Sequence, residues 1–455
     1  MNAASEPSVA GAGALDPLVD AALEASTAAE TEVLVIREGG GLTRFADSQV
    51  HQSVTSDDWR VTVRAVTDDG RAGVVTVGGA DPRGAATAAQ RALELARLAP
   101  ADPEFPGVAP PAPARGSDWD EDTAAASPAQ RAHVVRAALR EVDGDLSAAG
   151  FYRTGVTEVA AATSAGQRLY APLSSAEMTM VVTARSSTGY AEAGGRAAAD
   201  VEPRATARHA VAKARAGADP TGLDAGEWAV VLEPSAVAAI VQFLGYLGFG
   251  AKVVAEERSF ATGRFGEAVL DPKVSIVDDA HDRGQVALPF DFEGTPTERV
   301  DLVRDGVLRG VVHDRRSARM AGTRSTGHAL PPPNPLGPVP PSAAIEPGSG
   351  GSIDDLVAGL ERGLLVTRLH YVNVVHPRET ILTGMTRDGT FLIEDGKIVR
   401  PVHNLRFTQS AHEALADVRA ISSATAYGSE LLFGGGRQPA LALPSFNFTG
   451  TTSFG

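Results

Sequence analysis

Two histidines and an asparagine fall within one short alternating stretch, Leu369-His370-Tyr371-Val372-Asn373-Val374-Val375-His376. In an extended strand His370, Val372, Val374 and His376 share one face, because the side-chain period is two. At ~3.3 Å per residue the two imidazoles stand about 20 Å apart, too far to share a metal ion. His376-Pro377-Arg378-Glu379 then ends the strand at a loop. Further on, Asn404-Leu405-Arg406-Phe407 offers an arginine that could grip a carboxylate through two parallel hydrogen bonds. His370, Asn373, Arg378 and Arg406 are therefore candidates to line a cleft. The competing reading is that they are strand polar groups satisfied locally.

Other chemistry-bearing groups carry less. Asp278-Asp279, Asp291 and Glu293 supply the oxygen donors that magnesium or calcium favours, but their spacing matches no EF-hand loop, so a solvated turn is expected. Gly39-Gly40-Gly41 lacks the Lys-Ser/Thr ending of a phosphate loop and reads as a flexible connection. No G-x-S-x-G elbow is present. The stretch from Val231 to Gly250, VLEPSAVAAIVQFLGYLGFG, reads as a strand leading into an apolar helix, with Ser235 as its cap. A zinc-binding helix needs two histidines about one turn apart and a glutamate beside the first as general base. Here the corresponding positions hold Gln242, Phe243 and Leu247, none of which can do either task. Gly245, Gly248 and Gly250 weaken the helix and make sense where another backbone approaches closely.

The elements that position these groups belong to a chain of 455 residues, too long for one ordinary core. Hydrophobic content is 43% and charged content 21%, a globular composition. A net charge of −15 argues against general binding to nucleic acid or anionic membranes. With no cysteine, disulfides, thiolate metal sites and thiol nucleophiles are excluded. Neither a secretory signal nor an apolar run of membrane-spanning length is apparent, so a soluble cytoplasmic protein is expected.

Four segments are expected. An N-terminal α/β domain occupies 1–100, with a hairpin over 59–78 turned at Asp68-Asp69-Gly70-Arg71 and a helix over 81–98. A proline- and alanine-rich linker follows at 101–126. A central α/β domain at 127–225 opens with a helix capped by Ser127-Pro128. The C-terminal domain, 226–455, combines a helix over 237–253, a long proline-rich loop over 323–347, a helix capped by Ser352, and a strand meander from Leu364 to Pro401. No internal repeat of fixed period is visible.

Several ordered motifs resemble the TldD/PmbA family, also called the TldD/TldE or modulator-of-gyrase family. They are Leu232-Glu233-Pro234, Asp291-Phe292-Glu293-Gly294-Thr295-Pro296, Asp305-Gly306-Val307-Leu308-Arg309-Gly310 and Glu394-Asp395-Gly396-Lys397. Thr43-Arg44-Phe45-Ala46 and Thr163–Ala184 resemble the family's first and central domains. The resemblance runs from about residue 20 to 450. It implies a mixed α/β (α+β) fold in two parts, with N-terminal α/β subdomains and a C-terminal, largely antiparallel curled sheet with helices.

TldD-type members carry H-E-x-x-x-H on the helix after L-E-P, plus a downstream cysteine. TldE/PmbA-type members lack both, as this chain does. The resemblance therefore implies a non-catalytic subunit with no zinc of its own, partnered by a TldD-type metallopeptidase subunit that holds the zinc. The hetero-oligomer would degrade unfolded or modified peptides, and His370, Asn373, Arg378 and Arg406 would line its peptide cleft. Two alternatives stay open. One is a stand-alone peptidase with a relocated site drawn from His370, His376, His403 and Glu379. The other is a self-associating, non-enzymatic peptide-binding protein. No feature supports DNA binding.

Overall fold

The computed structural model describes residues 8–79, 81–429 and 436–451. Six antiparallel strands build the first sheet: β1 (Glu30–Ala46), β2 (Gln49–Val66), β3 (Ala72–Gly78), β4 (Ser147–Thr163), β5 (Arg168–Thr183) and β6 (Thr188–Gly195). Their order is β3-β2-β1-β4-β5-β6. Helices α1 (Ala12–Ala25), α2 (Pro82–Ala96), α4 (Pro128–Leu139) and α5 (Pro203–Ala216) cover one face, with α3 (Glu121–Ala124) a single turn before α4. The chain thus runs helix–three strands–helix twice, and the two units meet at β1 and β4. This symmetry leaves no fixed sequence period. The segments expected at 1–100 and 127–225 each keep a core, around Val33, Val61 and Ala89 and around Tyr152, Met178 and Ala210 respectively. They nevertheless share one continuous sheet. The stretch between them is strapped down rather than loose: Val108 and Ala109 are buried, and Val108 N donates to Glu30 Oε2.

The helix layer is alanine-rich because it lies on bare backbone. A Cβ on Gly73 of β3 would stand 2.2 Å from Ala92 O of α2. On β6, one on Gly189 would stand 2.1 Å from Ala210 O of α5. Residues of opposite parity, Leu34 and Ile36 on β1 and Val159 and Ala161 on β4, face the other way, where Leu288, Phe290 and Phe292 of the second half cover them.

That second half begins with β7 (Gly226–Leu232) and α6 (Pro234–Gly248), followed by the short α7 (Ala251–Ala255). The expected helix over 237–253 therefore starts earlier and breaks at Phe249-Gly250. A small antiparallel sheet, ordered β10-β9-β8-β11, comprises β8 (Ile276–Asp278), β9 (Val300–Arg304), β10 (Val307–Leu308) and β11 (Ala343–Ile345). Helices α8 (Arg315–Met320) and α9 (Ile353–Ala358) flank β11 in the sequence. The large sheet holds β12 (Arg362–His376), β13 (Ile381–Glu394), β14 (Lys397–Pro401), β15 (Leu405–Ser410), β16 (Ala420–Gly428) and β17 (Gly436–Thr451). Its pairings close a circuit, β7–β12–β13–β15–β17–β7, in which only β7–β12 is parallel. This is the curled, largely antiparallel sheet expected. Its core joins Val230, Leu364, Phe407 and Leu441 to Val237, Ile240 and Leu244 of α6 and to Ile276 and Leu302 of the small sheet. Among the described residues no helix is long and apolar enough to cross a membrane.

The bare contacts of α5 make a sharp prediction. Gly189→Ala forces a methyl into the α5 backbone and should lower stability by about 1–3 kcal/mol, read as an earlier urea midpoint. Gly222→Ala, which meets nothing within 4 Å, should leave the midpoint in place.

Candidate functional site

Helix α6 is held by the motif that precedes it. Glu233 occupies the N-cap position, and its carboxylate pairs with Lys213 of α5, whose Nζ also donates to Thr367 Oγ1 at 3.0 Å. Ser235 is not the cap: its hydroxyl donates to Glu192 Oε1 of β6 at 2.5 Å, a second tie to the first half. Gln242, Phe243 and Tyr246 form the half-exposed face of the helix, while Leu247 is buried. The three glycines admit close neighbours. A Cβ on Gly245 would touch Pro340 at 3.2 Å, one on Gly248 the Phe260 ring at 2.3 Å, and one on Gly250 Pro338 O at 2.3 Å. The proline-rich loop therefore lies against the C-terminal half of α6. A zinc ion does not fit here, because the face of Gln242, Phe243 and Tyr246 offers one carboxamide, one phenol and hydrocarbon, with no imidazole, thiolate or carboxylate. Among the described residues no three His, Cys, Asp or Glu gather as a metal site.

The four proposed cleft residues do not converge on one point. Pairing places His370 opposite Met385, and Met385 opposite Arg406, so His370 and Arg406 share a row across three strands. Asn373 lies nearer the hairpin end, opposite Thr383, and its Nδ2 donates to Tyr371 O at 2.8 Å. Tyr371 is a bulge residue with φ 54°. Arg378 stands exposed in the turn between β12 and β13. Burial, with Arg387 and Arg368 nearby, pushes the His370 imidazole below its ordinary value and so favours its neutral form. His376 Nδ1 accepts from Glu379 N at 3.2 Å, and His403 lies at the far end beside Thr221.

A large concavity lies elsewhere, a cleft of about 950 Å³ on the helix-free face of the first sheet, lined also by Val286 and Tyr427. Its rows follow the strand register. Val54, Leu42, Arg153 and Glu177 form one, and Ser56, Gly40, Gly155 and Ser175 the next. Gly39–Gly41 is thus mid-strand, not a flexible connection. A Cβ on Gly40 would stand 2.5 Å from Thr154 O, and one on Gly155 2.7 Å from Gly39 O. On the opposite face the buried Arg131 guanidinium occupies the space a Cβ of Gly41 would need. At Gly40 and Gly155 the floor of the cleft is therefore bare backbone. Arg153 pairs with Glu177 at 2.6 Å, and burial, reinforced by Glu192 and opposed by Arg153, raises the Glu177 carboxyl. Because β3 pairs with β2 only from Arg60 to Val66, the outer edge of β2 from Gln49 to Asp58 is exposed and has no strand partner among the described residues. Such an edge is a template for an added strand.

The acidic group is not a solvated turn. Asp278 and Asp291 are buried and held by different partners. Asp291 accepts from the amides of Glu293, Thr295 and Ala329. Asp278 accepts from Ser342 N at 2.7 Å and pairs with His328 Nε2 at 2.9 Å, whose Nδ1 meets Thr326 Oγ1 at 2.9 Å. This hydroxyl–imidazole–carboxylate chain has the parts of a relay, but the His328 and Asp278 side chains are 0% exposed, so it is structural. Their separation along the chain gave no spacing by which to find it.

Residues 225–450 match the family model described as the PmbA/TldA metallopeptidase C-terminal domain. The metalloprotease TldD homolog of Haemophilus influenzae is 29% identical over 171 residues, 37% of this chain and 35% of that protein. Metalloprotease PmbA of Escherichia coli O157:H7 is 30% identical over 155 residues, 33% of this chain and 31% of that one. The chain spans about a third of the length of the curated relatives it matches. The structure of TldE from Thermococcus kodakarensis superposes with a TM-score of 0.84 at 19% identity, covering 96% of this chain and 100% of that chain. This likeness shows a shared fold across both halves.

The donor set predicts the response to metal. An ion that binds only the folded state raises its melting temperature. Zinc added to the purified chain should therefore shift the melting temperature by less than about 1 °C, and equilibrium dialysis should retain no stoichiometric metal.

Proposed function

The chain belongs to the TldD/PmbA family, and on that premise we propose that it is the non-catalytic, TldE/PmbA-type subunit of a two-subunit metallopeptidase. One observation carries this reading: the helix that would bear the metal is kept, with its Glu233 anchor, while Gln242, Phe243 and Leu247 replace its ligands. The partner supplies the zinc and the water it activates. This chain supplies scaffold and a surface for an extended peptide.

The cleft on the first sheet suits that task. Its glycine floor lets a peptide backbone lie close, and the open edge of β2 offers main-chain donors and acceptors that read no side chain. An unfolded peptide of any sequence can satisfy such an edge, which accords with a broad peptide substrate. His370 and Arg406 would contribute a separate outer contact. The separation of His370, His376 and His403 weighs against a relocated active site within this chain.

Co-expression with a family subunit carrying H-E-x-x-x-H tests the reading. The complex should cleave an unfolded peptide at least about tenfold faster than either chain alone, a barrier difference of about 1.4 kcal/mol. Gln242→Ala in this chain should leave that rate unchanged, whereas loss of a partner zinc ligand should abolish it. Peptide hydrolysis by this chain alone, undiminished by chelators, would instead favour the stand-alone alternative.

A further inference from the structure

The Asp291–Pro296 motif does more than turn the chain. Asp291 pins the turn through three backbone amides, and Gly294 supplies its left-handed residue, φ 78°. The pinned turn aims Glu293 across to the first sheet. There Arg64 of β2 binds two carboxylates with the same nitrogen, Glu32 of β1 at 2.5 Å and Glu293 at 3.1 Å. The side chains are 8%, 10% and 17% exposed for Glu32, Glu293 and Arg64. Every element packed here contributes. From α8, Arg315 donates its backbone N–H to Glu293 Oε2 at 3.2 Å, while its guanidinium reaches the carbonyls of Gly107 and Val108. Glu30 accepts from Val108 N, and the Phe105 ring lies over Arg64.

The central charges do not balance. Glu32 and Glu293 meet one guanidinium, Arg64, while that of Arg315 is engaged by the carbonyls of Gly107 and Val108. Ionising both carboxyls leaves an excess negative charge out of contact with water, which is costly. Glu32 Oε1 has no hydrogen-bond partner among the described residues, so its ionised form is poorly supported. We propose that Glu32 keeps a proton beside Arg64, making the joint between the two halves a pH-sensitive clasp. With the proton held, one carboxylate balances Arg64 and the joint is closed. With it lost, two carboxylates repel across a single guanidinium and the joint slackens. The clasp, the apolar seam of Leu34, Ile36 and Phe290, and the cleft lie in sequence along the same face of β1. Slackening at the clasp therefore loosens the cover of the cleft. The inference does not depend on the chain's role as a partner subunit.

Electrostatics fixes the direction. Burial raises the Glu32 carboxyl above its ordinary 4.5, with Arg64 opposing and Glu293 adding. Burial and the Glu293 carboxylate push Asp291 up to about 8, against the pull of its amides. A raised carboxyl binds its proton more tightly in the folded state, so its contribution is present at acid pH and lost as pH rises through that window.

Thermal unfolding of the full chain from about pH 5 to about pH 9 tests the clasp. Glu32→Gln should flatten the alkaline fall in melting temperature and raise it near pH 8 by about 2–4 °C. Glu293→Gln should do the same. The double variant, which leaves Arg64 buried without a carboxylate, should melt below wild type at every pH. Amide exchange in residues 288–296, corrected for intrinsic rate, should lose protection at alkaline pH in wild type but not in Glu32→Gln. Wild-type and single-variant melting curves that stay parallel with pH would overturn the proposal, as would single variants that melt lower near pH 8.

Discussion

The molecule turns on the seam where Leu288, Phe290 and Phe292 cover the helix-free face of the first sheet. A sheet with alternating residues has two faces to bury, and four helices cover only one. The second half supplies the other cover over Leu34, Ile36, Val159 and Ala161. Where that cover ends, the same face opens into the cleft. The position of the C-terminal half on the sheet therefore sets the cleft's size, and the ties at either side of the seam set that position. Arg64 with Glu32 and Glu293 is one. Lys213 with Glu233, and Ser235 with Glu192, are the others.

The same ties explain why a helix without metal ligands keeps its surroundings. Its cap residue and its first-turn serine both reach into the first half, so the Leu-Glu-Pro segment works as a joint whether or not chemistry follows it. Further along, Gly245, Gly248 and Gly250 let Pro340, Phe260 and Pro338 close in. Those contacts need small residues rather than ligands. Packing holds this helix without any metal ligand.

Much of this was legible in the sequence where the signal is local. Ser127 with Gln130 and Ser352 with Asp355 form capping boxes because the hydroxyl and the partner three residues on need only one turn of chain to meet. Asp305-Gly306 and Asp395-Gly396 adopt positive φ in tight turns, as those residue types favour. Gln242, Phe243 and Leu247 on α6 are equally local, since little more than one turn of helix places them together. Ser235 shows the limit: its type suited a cap, but Glu192, distant in sequence, drew its hydroxyl away.

Tertiary structure alone decided the rest, because it depends on residues that spacing does not connect. Gly39–Gly41 looks flexible until neighbouring strands and Arg131 fill both sides of it. Asp278 looks solvated until His328 and the amide of Ser342 close over it. The doubled helix–strand–helix unit has no sequence period, since only backbone geometry repeats. Sequence by itself determined the family scaffold and the order of elements, both written in short segments. Where the two halves of the chain meet was settled by pairing and packing across distant strands, whose free energy comes from burial and backbone contact rather than from any motif.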